Sequence, residues 1–351
     1  MNLLGQSTEE LRALLAAMGE PAYRAAQIGH ALYAERKFDV AAMSNLPAAL
    51  RQRLASEHTI ALPRIERRYR SADGSTRYLL ALETGGDSIE AVFMPDQGRQ
   101  TICISTQAGC AVDCKFCLTA TLGLIRNLSA GEIVGQVLAA LDDNRHALAP
   151  QTNVVLMGQG EPLLNYDATM AALRILLDPK GAGLSPKHVT LSTSGIVPGI
   201  ERFSREKVRP KLAISLNASS DEQRDRIMPI NRKYPLRALM AACRAYPLRP
   251  WEKLTFEYVM LGELNDSPED ARRVVRLLNK LKCKVNLIPW NPGELPFRAP
   301  SAESIEAFRR ILAEKGVPAF VRYSRGQDVM AACGQLALLE SSGKGLVSIQ
   351  G

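Results

Sequence analysis

Eight consecutive residues constrain this chain more than any others: Cys110-Ala111-Val112-Asp113-Cys114-Lys115-Phe116-Cys117. Three cysteines in a C-x3-C-x2-C run lie too close together to be three independent core positions. Thiolates at that spacing can wrap one soft metal centre from a single loop. An ordinary iron–sulfur cluster is closed by four protein ligands. Three cysteines would leave one iron open, and an open iron can bind a substrate. Other readings of the run stay open: a zinc site short of a ligand, a disulfide pair, or chance. Zinc wants a fourth Cys or His at similar spacing, and the nearest histidine, His146, is far down the chain.

The net charge of +8 favours a polyanionic partner, although a merely soluble basic protein would carry the same charge. With 351 residues and 46% apolar content, the chain can build one large domain or two around a substantial core. Residues 1–16 include charges and do not read as a secretory signal. No run approaches the roughly 20 apolar residues that span a bilayer, so no membrane association is expected. Seven cysteines without secretory context predict reduced thiols and a cytoplasmic protein.

Residues 1–60 read as helices. Leu11, Leu14 and Leu15 give one apolar face, Ile28, Leu32 and Tyr33 another, and Pro47 sits in the first turn of a third helix. Arg24, Gln27, Lys37, Arg51 and Arg53 fit either a solvated helical cap or a face for the polyanionic partner that the net charge favours. From residue 61 the pattern turns to strands, with turns at 71–74 and 85–87. Arg64, Arg67, Arg68, Arg70 and Arg77 make this hairpin the most basic local patch. Alternation places Glu90 and Val92 opposite Ile89, Ala91 and Phe93. In the strand 100–105, Thr101, Cys103 and Ser105 share the more polar face, which marks Cys103 as a candidate for chemistry.

After the cysteine loop, Ser129-Ala130-Gly131-Glu132 predicts a capping box opening a helix. Strands at 153–157, 188–191, 211–215, 254–259, 283–288 and 319–323 alternate with helices at 166–177, 236–245, 268–281 and 302–314. Such β–α order predicts a parallel sheet with helices outside, and about six units suggest a partial barrel. The unusual polar segments fall at the carboxyl ends of strands, where such folds place their chemistry. They are the cysteine loop, Gly158-Gln159-Gly160-Glu161, Ser192-Thr193-Ser194-Gly195, Ser215-Leu216-Asn217 and Asn291 between two prolines. The glycines would let backbone approach a ligand, and Glu161 could accept from an ammonium. Any one segment alone reads as turn chemistry. Together they predict one shared site.

Residues 107–128, QAGCAVDCKFCLTATLGLIRNL, with aromatic Phe116 before the last cysteine, resemble the signature of radical S-adenosylmethionine (SAM) enzymes. More narrowly the block is similar to the RlmN-type RNA methyltransferases, which methylate adenine at C2. The likeness runs over about residues 20–340. It implies an α/β fold: a partial (β/α)6 radical SAM barrel over 101–340, an N-terminal helical accessory domain over 1–60, a β-hairpin extension over 61–100 and a tail over 341–351. It implies one [4Fe-4S] cluster on Cys110, Cys114 and Cys117, and SAM contacts at Gly160, Glu161, Ser192, Ser215, Leu216, Asn217 and Asn291. Asn217 departs from the family, where a histidine is expected. Cys243 and Cys283 read as buried filler, whereas the AACGQL segment places Cys333 at the family's methyl-carrying cysteine.

The resemblance implies two SAM per methylation. Cys333 takes a methyl from the first, and a radical made from the second activates that methyl to add to adenine C2. Glu90 removes the C2 proton, and Cys103 resolves the adduct by forming a disulfide with Cys333. The implied partners are 23S ribosomal RNA at the peptidyl transferase centre, tRNA beside the anticodon, and an electron donor of flavodoxin or ferredoxin type; a monomer is expected. The sister family that methylates adenine C8 is one alternative. A non-catalytic RNA-binding protein with a structural metal is another.

Overall fold

The computed structural model describes residues 1–83 and 85–338, so the expected tail lies outside the described residues. The chain opens with α1 (Thr8–Ala17), α2 (Tyr23–Tyr33) and α3 (Ala48–Glu57). Ser7 starts α1 with a capping box: its hydroxyl accepts from the Glu10 amide at 3.2 Å, and the Glu10 carboxylate accepts from the Ser7 amide at 2.7 Å. Leu11, Leu15, Ile28, Leu32 and Tyr33 are buried and Leu14 is partly buried against them, so the helical periodicity in the sequence marks the packed faces of the first two helices correctly.

The strands β1 (Arg64–Arg70), β2 (Thr76–Ala81), β3 (Ser88–Asp96) and β4 (Arg99–Cys103) pair antiparallel in sequence order. A short ladder of β5 (Gln107–Gly109) and β6 (Leu124–Asn127) brackets the cysteine loop. The chain then runs through α4 (Ala130–Asp143), β7 (Gln151–Leu156), α5 (Tyr166–Leu177), β8 (Val189–Thr193) and α6 (Val197–Ser204). It continues as β9 (Lys211–Ser215), α7 (Asp221–Ile227), α8 (Leu236–Ala245) and β10 (Leu254–Met260). It closes with α9 (Pro268–Leu278), β11 (Cys283–Pro289), α10 (Ala302–Glu314) and β12 (Ala319–Val321).

One ten-stranded sheet runs in the order β1-β2-β3-β4-β7-β8-β9-β10-β11-β12. Pairing switches to parallel at β4–β7, where Cys103 pairs with Val155, and stays parallel to β12. Every parallel step is carried by helix, which is the expected partial-barrel wrap on an open sheet. The capping box at Ser129 and Glu132 opens α4 as its spacing predicts.

Some boundaries differ for local reasons. Helix α9 stops at Leu278, not 281, because Lys280 sits in the left-handed region at φ 64° and cannot continue a helix. Strand β4 stops at Cys103, not Ser105. Ser105 is drawn out of the ladder because its hydroxyl donates to the Glu90 carbonyl at 2.6 Å and its amide donates to Gln136 at 2.8 Å. On β3, Ile89, Ala91 and Phe93 join the main core, while Val92 packs with Ala331 and Leu336 on the opposite face, as alternation requires.

Candidate active site

A cavity of about 770 Å³ runs along the inner face of the parallel strands. Its volume lies in the roughly 300–1,000 Å³ range of small-molecule sites. Cys110, Cys114 and Cys117 line it from the loop after β5. The loop is pinned on three sides: the Cys110 amide donates to the Gly123 carbonyl at 2.8 Å, the Lys115 amide to Ile227 at 2.9 Å, and the Trp290 indole to the Phe116 carbonyl at 3.3 Å. All seven cysteines are free thiols. Burial pushes Cys110 up to about 12 and raises Cys114 well above the ordinary thiol range, with Cys117 and Cys110 adding to the shift at Cys114. Among the described residues no three His, Cys, Asp or Glu side chains close on a single metal ion. As a donor set, three free thiols opening into one cavity from one loop suit a group with a separate iron for each thiolate.

Cys333 opens into the same cavity. Its segment is stitched to the cysteine loop. The Leu118 amide donates to the Gly334 carbonyl at 2.7 Å, and the Thr119 hydroxyl to the Leu336 carbonyl at 2.6 Å. Asn291 donates to the Cys333 carbonyl at 3.3 Å and to Ser324 at 2.9 Å, and accepts from Gln327 at 3.0 Å. The Ser71–Ser75 turn grips the segment from the other side. Asp328 accepts from the Ser71 hydroxyl at 2.6 Å, and Asp73 accepts from the Gly326 amide at 2.9 Å. Cys333 is reachable through the cavity yet crowded by protein atoms. Burial, with Cys117 and Cys103 nearby, pushes its thiol up to about 12. Cys103 lines the cavity beside Ala331 and Leu336, and burial pushes it too up to about 12 against the pull of the Met157 amide. Cys243 and Cys283 lie in the core as expected.

Glu90 is fully buried and sits behind the cavity wall rather than on it. Arg77 pairs with its carboxylate, the Leu338 amide donates to it at 3.1 Å, and Gln159 reaches it at 3.4 Å. Burial raises its carboxyl, while Arg77 and the amides of Leu338 and Ala337 pull it down. Arg77 therefore does not belong to the expected basic surface: it is buried over the Tyr69 ring at 4.1 Å. Arg64, Arg67, Arg68 and Arg70 do lie exposed on β1, with Arg68 paired to Asp143 at 2.6 Å. The sequence could not show this division, because Arg77 has its partner one strand away.

Of the residues expected to contact SAM, Gly160, Glu161, Ser192, Ser215, Asn217 and Asn291 line the cavity. Leu216 does not: its side chain is in the main core and only its backbone lies at the strand end. Asn217 faces the cavity but is largely committed, accepting from the Val259 amide at 2.9 Å and reaching the Met228 sulfur at 3.3 Å. Glu161 accepts from the amides of Ser194 at 2.6 Å and Leu163 at 3.0 Å, so its carboxylate also ties two strand-end loops together. The glycines are also required by the protein's own packing. A Cβ on Gly160, at φ 100°, would meet Gln107 at 2.6 Å, and one on Gly158 would meet Ser105 at 2.7 Å.

Sequence reasoning missed Arg224. It is wholly buried on α7 and donates to the carbonyls of Ser194 at 2.6 Å and of Leu216 and Ser215 at 3.1 Å. It thereby holds the ends of β8 and β9 together under the cavity. The signal was the Ser220-Asp221-Glu222 start of α7, where Ser220 caps the helix.

Residues 104–278 match the radical SAM superfamily, and residues 1–60 match the ribosomal RNA large subunit methyltransferase N-terminal domain. The chain is 50% identical over 341 residues to a probable dual-specificity RNA methyltransferase RlmN of Koribacter versatilis, covering 92% of this chain and 98% of that one. It is 48% identical over 338 residues to the dual-specificity RNA methyltransferase RlmN of Syntrophotalea carbinolica, covering 96% and 89%. A crystal structure of a radical SAM methyltransferase from Sphaerobacter thermophilus superposes with a TM-score of 0.91 at 46% identity, covering 96% and 99%.

Proposed function

This chain belongs to the RlmN family of radical SAM RNA methyltransferases, and on that footing we propose that it methylates C2 of adenine in 23S rRNA at the peptidyl transferase centre and in tRNA next to the anticodon. The observation that carries the reading is convergence: Cys103, Cys333 and the three loop cysteines open into one cavity.

The C2–H of adenine is neither acidic nor nucleophilic at neutral pH, so the carbon has no electron pair with which to attack a methyl donor. When bound, a [4Fe-4S] cluster on Cys110, Cys114 and Cys117, together with two SAM per methylation, supplies the methyl group and the one-electron chemistry such a carbon needs. Gly160, Glu161, Ser192, Ser215 and Asn291 hold the cofactor end of the cavity. At Asn217 and Leu216 the contact falls to the backbone.

Cys333 accepts the methyl through its sulfur, becoming a thiolate more readily beside a cationic donor. Asn291 and the Leu118 amide hold its backbone while it does so. Glu90 accepts the C2 proton once the target base, unstacked from its neighbours, displaces the Leu338 amide. Cys103, as its thiolate, attacks the Cys333 sulfur; the electron pair of the bond from sulfur to the transferred carbon passes to that carbon, which takes a proton to become the methyl group, and the disulfide left behind is reopened by an outside reductant. An electron donor of flavodoxin or ferredoxin type serves the cluster. Residues 1–60 act as an accessory RNA-binding domain, with the 61–100 extension between it and the barrel over 101–340.

Anaerobic incubation of the reconstituted protein with SAM, reductant and each RNA, followed by mass spectrometry of the nucleosides, tests the reading. The expected product is 2-methyladenosine. A product of 8-methyladenosine would assign the chain to the sister chemistry. A zinc-bearing protein without SAM cleavage would make it a binding protein.

A further inference from the structure

The cavity does not end at the cysteine loop. It continues down the inner face of the sheet to the amino-terminal ends of the strands, where Lys211, the first residue of β9, and Lys284, near the start of β11, line it with Arg322. Neither lysine ammonium has a hydrogen bond or ion pair among the described residues. Both are half-buried, and both are pulled below the ordinary lysine range, first by burial and then by neighbouring cations: Lys284 acts on Lys211, and Arg322 acts on Lys284.

The carboxyl facing these cations is Glu257, which accepts from Asn286 at 2.9 Å. Burial pushes it up to about 7, so near neutral pH it offsets only part of the positive charge. Crowding partly desolvated cations together without a counter-charge is costly. The arrangement makes sense when a ligand brings the anion.

Aromatic surface stands beside the charge. Tyr323 follows Arg322, lines the same opening and is 70% exposed. Cations over a phosphodiester chain with exposed aromatic faces for the bases are the means by which proteins hold single-stranded RNA. The position also fits the chemistry. Cys103 pairs with Val155, Val155 with Thr190 and Thr190 with Lys211. At the usual strand spacing of ~4.8 Å those three steps separate Cys103 and Lys211 by about 14 Å at most, and by less across a curved sheet. One extended lysine side chain and one nucleotide can share that span.

We propose that this basic, aromatic mouth clamps the RNA strand on either side of the target adenine, with Lys211, Lys284 and Arg322 on backbone phosphates and Tyr323 stacked on a neighbouring base. The inference rests on the RNA methyltransferase reading above. It adds RNA contacts at the cavity mouth to those of the N-terminal domain.

The test is binding of a labelled RNA stem-loop with one unpaired adenine, followed by fluorescence anisotropy across a salt series. The unaltered full chain is compared with Lys211→Gln, Lys284→Gln, Tyr323→Ala and the surface control Arg64→Gln, with thermal melting and SAM binding as checks on folding. Each lysine variant should lower the slope of log affinity against log salt by about one and weaken binding several-fold at low salt. Tyr323→Ala should weaken binding about tenfold at an unchanged slope. SAM binding and melting should stay as in the unaltered chain. Lysine variants with the unaltered affinity and slope would overturn the clamp while leaving the methyltransferase reading intact. So would displacement of the RNA by inorganic phosphate at equal phosphate concentration, which would mark a free-anion site. Failure of the unaltered chain to bind RNA at all would instead overturn the reading beneath it.

Discussion

The amide of Leu118, one residue past the last loop cysteine, donates to the carbonyl of Gly334, one residue past Cys333, at 2.7 Å. The two reactive segments come from positions far apart in the chain, yet backbone joins them directly. The Thr119 hydroxyl repeats the link on Leu336 at 2.6 Å. The spacing between the cysteine loop and the Cys333 segment is thus set by these hydrogen bonds to main-chain carbonyls, which tolerate little displacement.

Replacing Thr119 by Val removes that second link while keeping the shape. A net hydrogen bond is worth about 1 kcal/mol. Amide hydrogen exchange across 331–338 should accelerate roughly fivefold. Exchange in α4, which the link does not touch, should stay unchanged. Unaltered exchange in 331–338 would show that the hydroxyl does not hold the segment.

The buried pair of Arg77 and Glu90 gives a second expectation. Arg77→Met leaves Glu90 with no counter-charge inside the core, and removing one partner of such a pair costs about 3–5 kcal/mol. Adding Glu90→Leu should recover most of that loss in thermal melting, while the proposed mechanism predicts that it abolishes methylation. If the double variant melts no higher than Arg77→Met, the cost lies in packing over Tyr69 and not in the stranded charge.

Glu257 supplies a pH dependence. Its carboxyl is pushed up to about 7 by burial, so the folded protein binds a proton there that the unfolded chain, with an ordinary carboxyl, releases near 4.5. Its contribution to stability therefore declines as pH rises from about 4.5 to 7, and levels off above. The negative charge that appears at the cavity mouth near pH 7 weakens attraction for phosphates, so RNA affinity should fall between pH 6 and 8. Glu257→Gln should flatten that fall. An identical pH profile in the variant would remove Glu257 from the interaction.

Much of the site was legible in the chain because it is built on local spacing. The cysteine loop, the strand-end polar segments and the Ser129 capping box each sit within a few residues, where spacing fixes geometry. What stayed hidden depends on partners distant in sequence. Arg77 read as surface charge until Glu90 on the neighbouring strand claimed it. Gly158 and Gly160 read as ligand cradles, and the sequence could not show that Ser105 and Gln107 pack against them and call for glycine as well. The half-buried lysines at the cavity mouth looked ordinary in sequence, since only the wrap of the sheet brings Lys211 within reach of Lys284. Helix α7 was missed because its seven residues are mostly charged and give no apolar stripe to read.

The central claim is that Cys333 carries the transferred carbon and Cys103 releases it. Its most direct measurement is the mass of the Cys103→Ala variant after one anaerobic reaction with SAM, reductant and RNA. The expected species is protein joined covalently to RNA, with digestion placing the link on Cys333. Free methylated RNA released by that variant at the unaltered rate would contradict the account.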